Sequence, residues 1–84
     1  IPPLTGERRK ELIRKVRQLS EDARIRARKI RRDYIDLVKE AETEKEISED
    51  ASKGYQSDVQ DATNDCVKVL EQMCKDKETE LMEV

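Results

Sequence analysis

The sequence predicts an all-α fold: two long antiparallel helices that form part of a three-helix bundle. Three observations predict it. No Pro or Gly falls between Gly6 and Gly54, and these two residues are the strongest interrupters of regular structure. Apolar residues recur at steps of three and four along two stretches, the spacing of one helix face. Charged residues make up 45% of the chain and aromatic residues 2%, a composition of long solvated helices. The 84 residues amount to one small domain or a piece of one. A chain this short and polar buries little apolar surface.

The first element begins after a lead-in. Ile1-Pro2-Pro3-Leu4 reads as extended, because each Pro biases the residue before it away from helix. Thr5 is a natural N-cap, and Glu7 suits the positive end of the helix dipole. Apolar positions then run Leu12, Val16, Leu19, Ala23, Ala27, Ile30, Tyr34, Leu37, Ala41, which is 29 residues in eight steps, or about 3.63 residues per step. A strict heptad at 3.5 gives a left-handed supercoil, whereas this value suits a nearly straight helix. The expected helix covers about 6–42, with a length of roughly 55 Å.

The turn is expected at about 43–47, and it is short enough to make the two helices antiparallel neighbours. Ser48 stands before Glu49-Asp50, an N-cap followed by acids in the first turn. Ile47 is placed to act as a hydrophobic staple. The second apolar series is Ala51, Tyr55, Val59, Ala62, Cys66, Val69, Met73, closed by Leu81. Gly54 costs about 1 kcal/mol relative to Ala one turn into this helix. The helix is expected over about 48–82. No internal repeat or low-complexity linker breaks the chain. A second apolar strip flanks the first: Ile13, Ile35 and Val38 on one helix, and Val67, Leu70 and Cys74 on the other. Two helices facing each other cover one strip each, so the extra strip calls for a third helix.

The net charge of −2 averages two opposite segments. Residues 1–32 carry twelve Lys/Arg and four Asp/Glu, whereas residues 33–84 carry six and sixteen. A segment at +8 seeks phosphates, acidic protein or anionic lipid. Its density favours nucleic acid. With Arg24 set at 0° and about 100° per residue, Arg31, Arg17, Arg28 and Lys10 lie within about 40° of it, and Arg14 and Arg32 at about 80°. Arg26 and Lys29 lie elsewhere, at about 200° and 140°. A cationic ridge therefore runs beside the main apolar strip. Pairing with the acidic second helix is expected to hold the one or two arginines nearest the interface and to leave the rest of the ridge outward. Arg suits bidentate phosphate contacts. No aromatic residue is interleaved for stacking single strands, so shape recognition of structured RNA fits best.

Other chemistries find no support. The longest purely apolar run is two residues, too short for a membrane span. The chain has no His, which removes His-based triads and the usual zinc ligand sets. Two cysteines do not make a disulfide framework, and Cys66 and Cys74, roughly 12 Å apart along one helix, do not bridge each other. Both are expected as buried thiols, and Tyr34 and Tyr55 as core. No nucleophile–base pair, phosphate loop or metal cluster is found. The expectation is a protein without enzymatic activity, catalytic residues, metal, cofactor, small-molecule substrate or membrane partner.

Five blocks carry a resemblance to a known family. They are Ile1-Pro2-Pro3-Leu4-Thr5, Glu7-Arg8-Arg9-Lys10-Glu11-Leu12, Ile30-Arg31-Arg32-Asp33, Glu46-Ile47-Ser48-Glu49-Asp50, and Lys77-Glu78 with Glu80-Leu81-Met82-Glu83-Val84. In this order, over the whole chain and in register, they resemble the ribosome recycling factors. The resemblance implies the last two helices of that family's three-helix-bundle domain, with the first helix and a smaller β-rich domain upstream of Ile1. It implies a translation factor that joins elongation factor G to split the post-termination ribosome into subunits. It also implies that arginines of the bundle contact large-subunit ribosomal RNA. The matching positions are Arg9, Arg28 and Arg31, with Arg24 and Arg32 as neighbours; the ridge itself adds Lys10, Arg14 and Arg17 as a secondary set. Arg26 and Lys29 replace what are usually a small residue and an Asn. Gly6 replaces a usual Glu, and Gly54-Tyr55 and Cys66 fall where members vary. These departures suggest a divergent member. The family occurs in bacteria, mitochondria and plastids, so the expected compartment is the bacterial cytoplasm or an organelle matrix.

A second reading from another class is a structural coiled-coil hairpin, an arm of a larger protein. Such an arm needs a repeat of 3.5 and has no use for a one-sided arginine ridge. The 3.63 spacing and the resemblance favour the ribosome-binding factor.

Overall fold

The computed structural model describes residues 3–84, so the expectation for Ile1 and Pro2 lies outside the described residues. Two helices form, α1 over Gly6–Thr43 and α2 over Glu49–Glu83. Both start where side-chain oxygens cap them. Thr5 accepts from the backbone N–H of Arg8 at 3.1 Å, and Ser48 from that of Ala51 at 3.0 Å. Glu7, Glu49 and Asp50 place negative charge in the first turns, where it meets the positive end of the dipole.

The end of α1 is a Schellman motif. The N–H of Glu46 donates to the carbonyl of Ala41 at 2.9 Å and that of Lys45 to Glu42 at 3.0 Å. This closure requires a left-handed residue after the cap, usually Gly. Here Lys45 adopts it, at φ 61°. The chain reverses, and α2 returns antiparallel along α1. The hairpin measures 63 × 15 × 14 Å, a rod with no globular core. Among the described residues no strand forms, and no helix is long and apolar enough to cross a membrane.

The seam between the helices is narrow, and small residues mark its most buried points. Val38 is the one buried apolar side chain among the described residues, at 8% exposure, and Ser20, Ser52 and Thr63 are buried with it. Ser52 accepts from Gln56 at 3.0 Å, and Thr63 donates to the carbonyl of Val59 at 2.7 Å, so neither hydroxyl is orphaned. The hydroxyl oxygen of Ser20 has no partner. On α1 the seam runs Arg9, Ile13, Val16, Ser20, Arg24, Ala27, Arg31, Ile35, Val38, all half-buried or buried. On α2 it runs Ser52, Gln56, Val59, Thr63, Val67, Leu70, Cys74, Glu78, Leu81, again half-buried or buried. Both follow the same steps of four and three, 29 residues in eight steps. The expected spacing therefore holds, and two such straight rods can stay in contact over their length.

Its direction differs from expectation. The seam is turned by about 70° around α1 from the strip headed by Leu12, toward the strip of Ile13, Ile35 and Val38. Leu19, Ile30 and Leu37 stay open, Ile30 at 67% and Leu37 at 66% exposure. Tyr34 and Tyr55 are not core: both lie open on the apolar flank. Cys66 is exposed and Cys74 half-buried, so neither is the buried thiol expected. The physical reason is shared. Two helices meet most closely where their contact residues are small, and Ser20, Ala27, Ser52 and Thr63 supply that line. The larger apolar side chains are left to flank it.

Candidate nucleic-acid interface

The seam divides the hairpin into two unlike edges. On one edge, two apolar grooves open between the helices. The first, about 310 Å³, is lined by residues that include Leu19, Ala23, Leu70 and Met73. The second, about 240 Å³, is lined by Tyr34, Leu37, Val38, Ala41, Ile47 and Tyr55. Ile47 thus joins the apolar edge. The opposite edge is charged, and the arginines of the ridge lie along it.

The rotation of the seam changes what the ridge can do. Residues at 340–20° in the helical frame are close to the seam, not far outside it. Three cations of the expected set are engaged within the molecule. Arg9 Nε donates to the carbonyl of Leu81 at 2.9 Å, and its Nη2 donates to the carbonyl of Val84. The last turn of α2 holds no basic residue of its own, so Arg9 supplies from α1 the cation that a helix C-terminus favours. Arg17 meets Glu78 of α2 at 2.5 Å. Arg24 meets Glu21 on its own helix at 2.5 Å and Glu71 of α2 at 3.8 Å.

These pairs move protons in the expected directions. The Glu78 carboxyl is held below its ordinary value by the hydrogen bond from Arg17, with partial desolvation opposing and the Arg17 charge assisting. Arg17 is raised by the same hydrogen bond and Arg24 by its bond to Glu21. All three groups stay ionised at neutral pH.

The other cations of the expected set have no acid within 4 Å among the described residues. Lys10, Arg14, Arg28 and Arg32 are exposed, and Arg31 is half-buried at the seam. Arg28 and Arg31 line one open cleft of about 340 Å³, whose far wall is α2. Lys10 and Arg14 share with Arg17 a second open groove, lined by α1 alone. The ridge thus splits: its paired members ladder the two helices together, and its free members face solvent. Two arginines pair with acids of α2, as expected, and Arg9 is held in addition by carbonyls at the end of α2. The cross-helix partners depend on register, which a single helix does not display.

Sequence reasoning missed two features. The capping role of Arg9 needed the end of α2 to be placed beside the start of α1. The α2 side of the Arg28–Arg31 cleft was overlooked as well. Its signal was present: on the face of acidic α2 that carries Glu78 and Glu71, Lys68 and Asn64 follow one and two turns beyond Glu71. Among the described residues no group of three or more His, Cys, Asp or Glu side chains converges as a metal site.

The family profile described as "Ribosome recycling factor" matches residues 1–82. Curated proteins named ribosome-recycling factor align over the full chain, at 49% identity in Geobacillus sp. (strain WCH70) and 45% in Streptococcus suis (strain 05ZYH33). One from Synechococcus sp. is 48% identical over 81 residues, 96% of this chain. The chain spans under half of these relatives, 45%, 45% and 44% of their lengths. No solved structure matches it.

Proposed function

The chain belongs to the ribosome recycling factor family, and from that premise we propose that it is the ribosome-binding part of a factor that recycles ribosomes after termination. It docks on large-subunit ribosomal RNA through the charged edge and acts with elongation factor G to separate the subunits. It works by binding, without chemistry of its own. Its place is wherever bacterial-type ribosomes operate, in a bacterial cytoplasm or an organelle matrix. The apolar edge is the seat of a further helix of the same bundle domain. The observation that carries the reading is the split of the ridge, which leaves Arg28, Arg31 and Arg32 without acids on one edge of a family member.

Arg28, Arg31 and Arg32 are the central contacts, and Lys10 and Arg14 extend them toward the N-terminal end. Arg9, Arg17 and Arg24 join only through donors left over from their internal partners, since a guanidinium has five. The test is binding of full-length protein to vacant ribosomes at several salt concentrations. Arg28→Ala and Arg31→Ala each lower affinity by about tenfold, the value of a charge-assisted hydrogen bond, and flatten the salt dependence by about one unit. Arg26→Ala, on the far side of α1, changes little. Unchanged binding in both ridge variants overturns the reading.

A further inference from the structure

Two cations facing α2 along the seam meet acids there, Arg17 at Glu78 and Arg24 at Glu71. Next toward the turn comes Arg31, and this ladder stops. Arg31 is half-buried and has no acid within 4 Å among the described residues. From α2 the cleft is walled by Thr63, Asn64, Val67, Lys68 and Glu71, the last already engaged with Arg24. Arg28 stands on the same cleft from α1. Two guanidinium groups and an ammonium group therefore surround one open space. Asn64 adds a neutral donor: its side-chain oxygen accepts from Gln60 at 3.0 Å, which leaves its NH₂ group unoccupied. Glu71 is the one acid lining this cleft, and it turns to Arg24, so three cations outnumber it there; cations gathered in excess repel one another, and an anion between them removes the repulsion.

We infer that this cleft binds a backbone phosphate of RNA and that both helices build it, with Lys68 and Asn64 of α2 completing what Arg28 and Arg31 of α1 begin. This rests on the ribosome-binding reading above and extends it to a helix whose overall charge is acidic. Guanidinium forks match the oxygens of a phosphate, and an ammonium group adds a compact charge. The contact reads no base, so it fixes position and not sequence.

The test uses full-length protein and vacant ribosomes, with Lys68→Ala, Lys68→Arg, Arg31→Ala, the double variant Arg31→Ala/Lys68→Ala, and Lys77→Ala as control. Lys77 carries the same charge but lines the apolar groove. Lys68 is exposed, so folding, followed by the thermal melt, stays as in the parent. The expected result for Lys68→Ala is a loss of about tenfold with a salt dependence about one unit flatter. Lys68→Arg binds as the parent, Lys77→Ala loses little, and the double variant loses less than the product of the single losses. A photoreactive group at Gln72, on the Lys68 face, cross-links to ribosomal RNA. Loss in Arg31→Ala without loss in Lys68→Ala overturns the two-helix cleft while leaving the ribosome-binding reading intact. No loss in either variant overturns both. A cross-link to ribosomal protein alone assigns the cleft to an acidic protein segment and overturns the phosphate.

Discussion

The two edges of the seam differ in how their side chains are satisfied. On the charged edge, α1 and α2 complete each other in part: Arg17 finds Glu78 and Arg24 finds Glu71. On the apolar edge nothing completes the surface. Leu19, Ile30, Leu37, Val69 and Met73 are all more than half exposed, and an apolar face of this extent marks an interaction site. The comparison teaches that one narrow seam can separate two unlike surfaces. Its most buried members, Ser20, Val38, Ser52 and Thr63, are neither the largest apolar residues nor cations.

Substitution across adjacent positions breaks this comparison most strongly. Val38 lies in the seam at 8% exposure and Leu37 beside it at 66%. Val38→Asp places a charge in the closest contact and costs about 3 kcal/mol or more. Leu37→Asp in the isolated chain costs under about 1 kcal/mol, because its side chain already meets water. Chemical denaturation of the two variants side by side checks this, and equal losses would place the seam elsewhere.

The apolar edge gives the next effect. The 84-residue chain alone self-associates, and its melting temperature rises with concentration by mass action. Leu37→Lys with Met73→Lys weakens the association at least about tenfold and leaves helicity intact. Sedimentation at several concentrations reads the outcome. A parent chain that is monomeric at every concentration, with a concentration-independent melt, would show that the open edge needs no cover.

The smallest effect comes from the charged edge. Because the Glu78 carboxyl is depressed in the fold, its contribution is present above the ordinary carboxylate value. It fades as the pH falls through that value and then through the depressed one. Glu78→Gln is therefore less stable than the parent near neutral pH, and the difference closes in acid. Arg17 is solvent-exposed and Glu78 half-buried, so added salt shrinks the difference in part. A gap that stays constant from neutral to acid pH would mean that Glu78 acts through packing.

How far the molecule was legible follows from what is local. Thr5 and Ser48 cap because the donors they satisfy lie three residues away, so the helix starts were readable to within a residue. The short turn and the antiparallel return followed from the same signals. The face that α2 covers was not readable. Two apolar strips lie side by side on α1, and only the partner decides that Val38 goes in and Leu37 stays out. The use of Arg17 and Arg24 depended on Glu78 and Glu71, residues 61 and 47 positions away. Lys45 at a position favouring Gly was equally hidden, since Lys carries no turn signal.

The central claim is that the orientation of the cations on α1, and not their number, binds the ribosome. Two double variants of full-length protein test it directly. Arg28→Ala/Arg31→Ala and Lys15→Ala/Arg26→Ala remove the same charge from opposite sides of α1, the second pair lying at about 180–200°. The measurement is equilibrium affinity for vacant ribosomes at one fixed salt concentration. The account predicts a loss of about a hundredfold for the first pair, as two charge-assisted contacts imply, and affinity within about threefold of the parent for the second. Equal losses in the two pairs would contradict it.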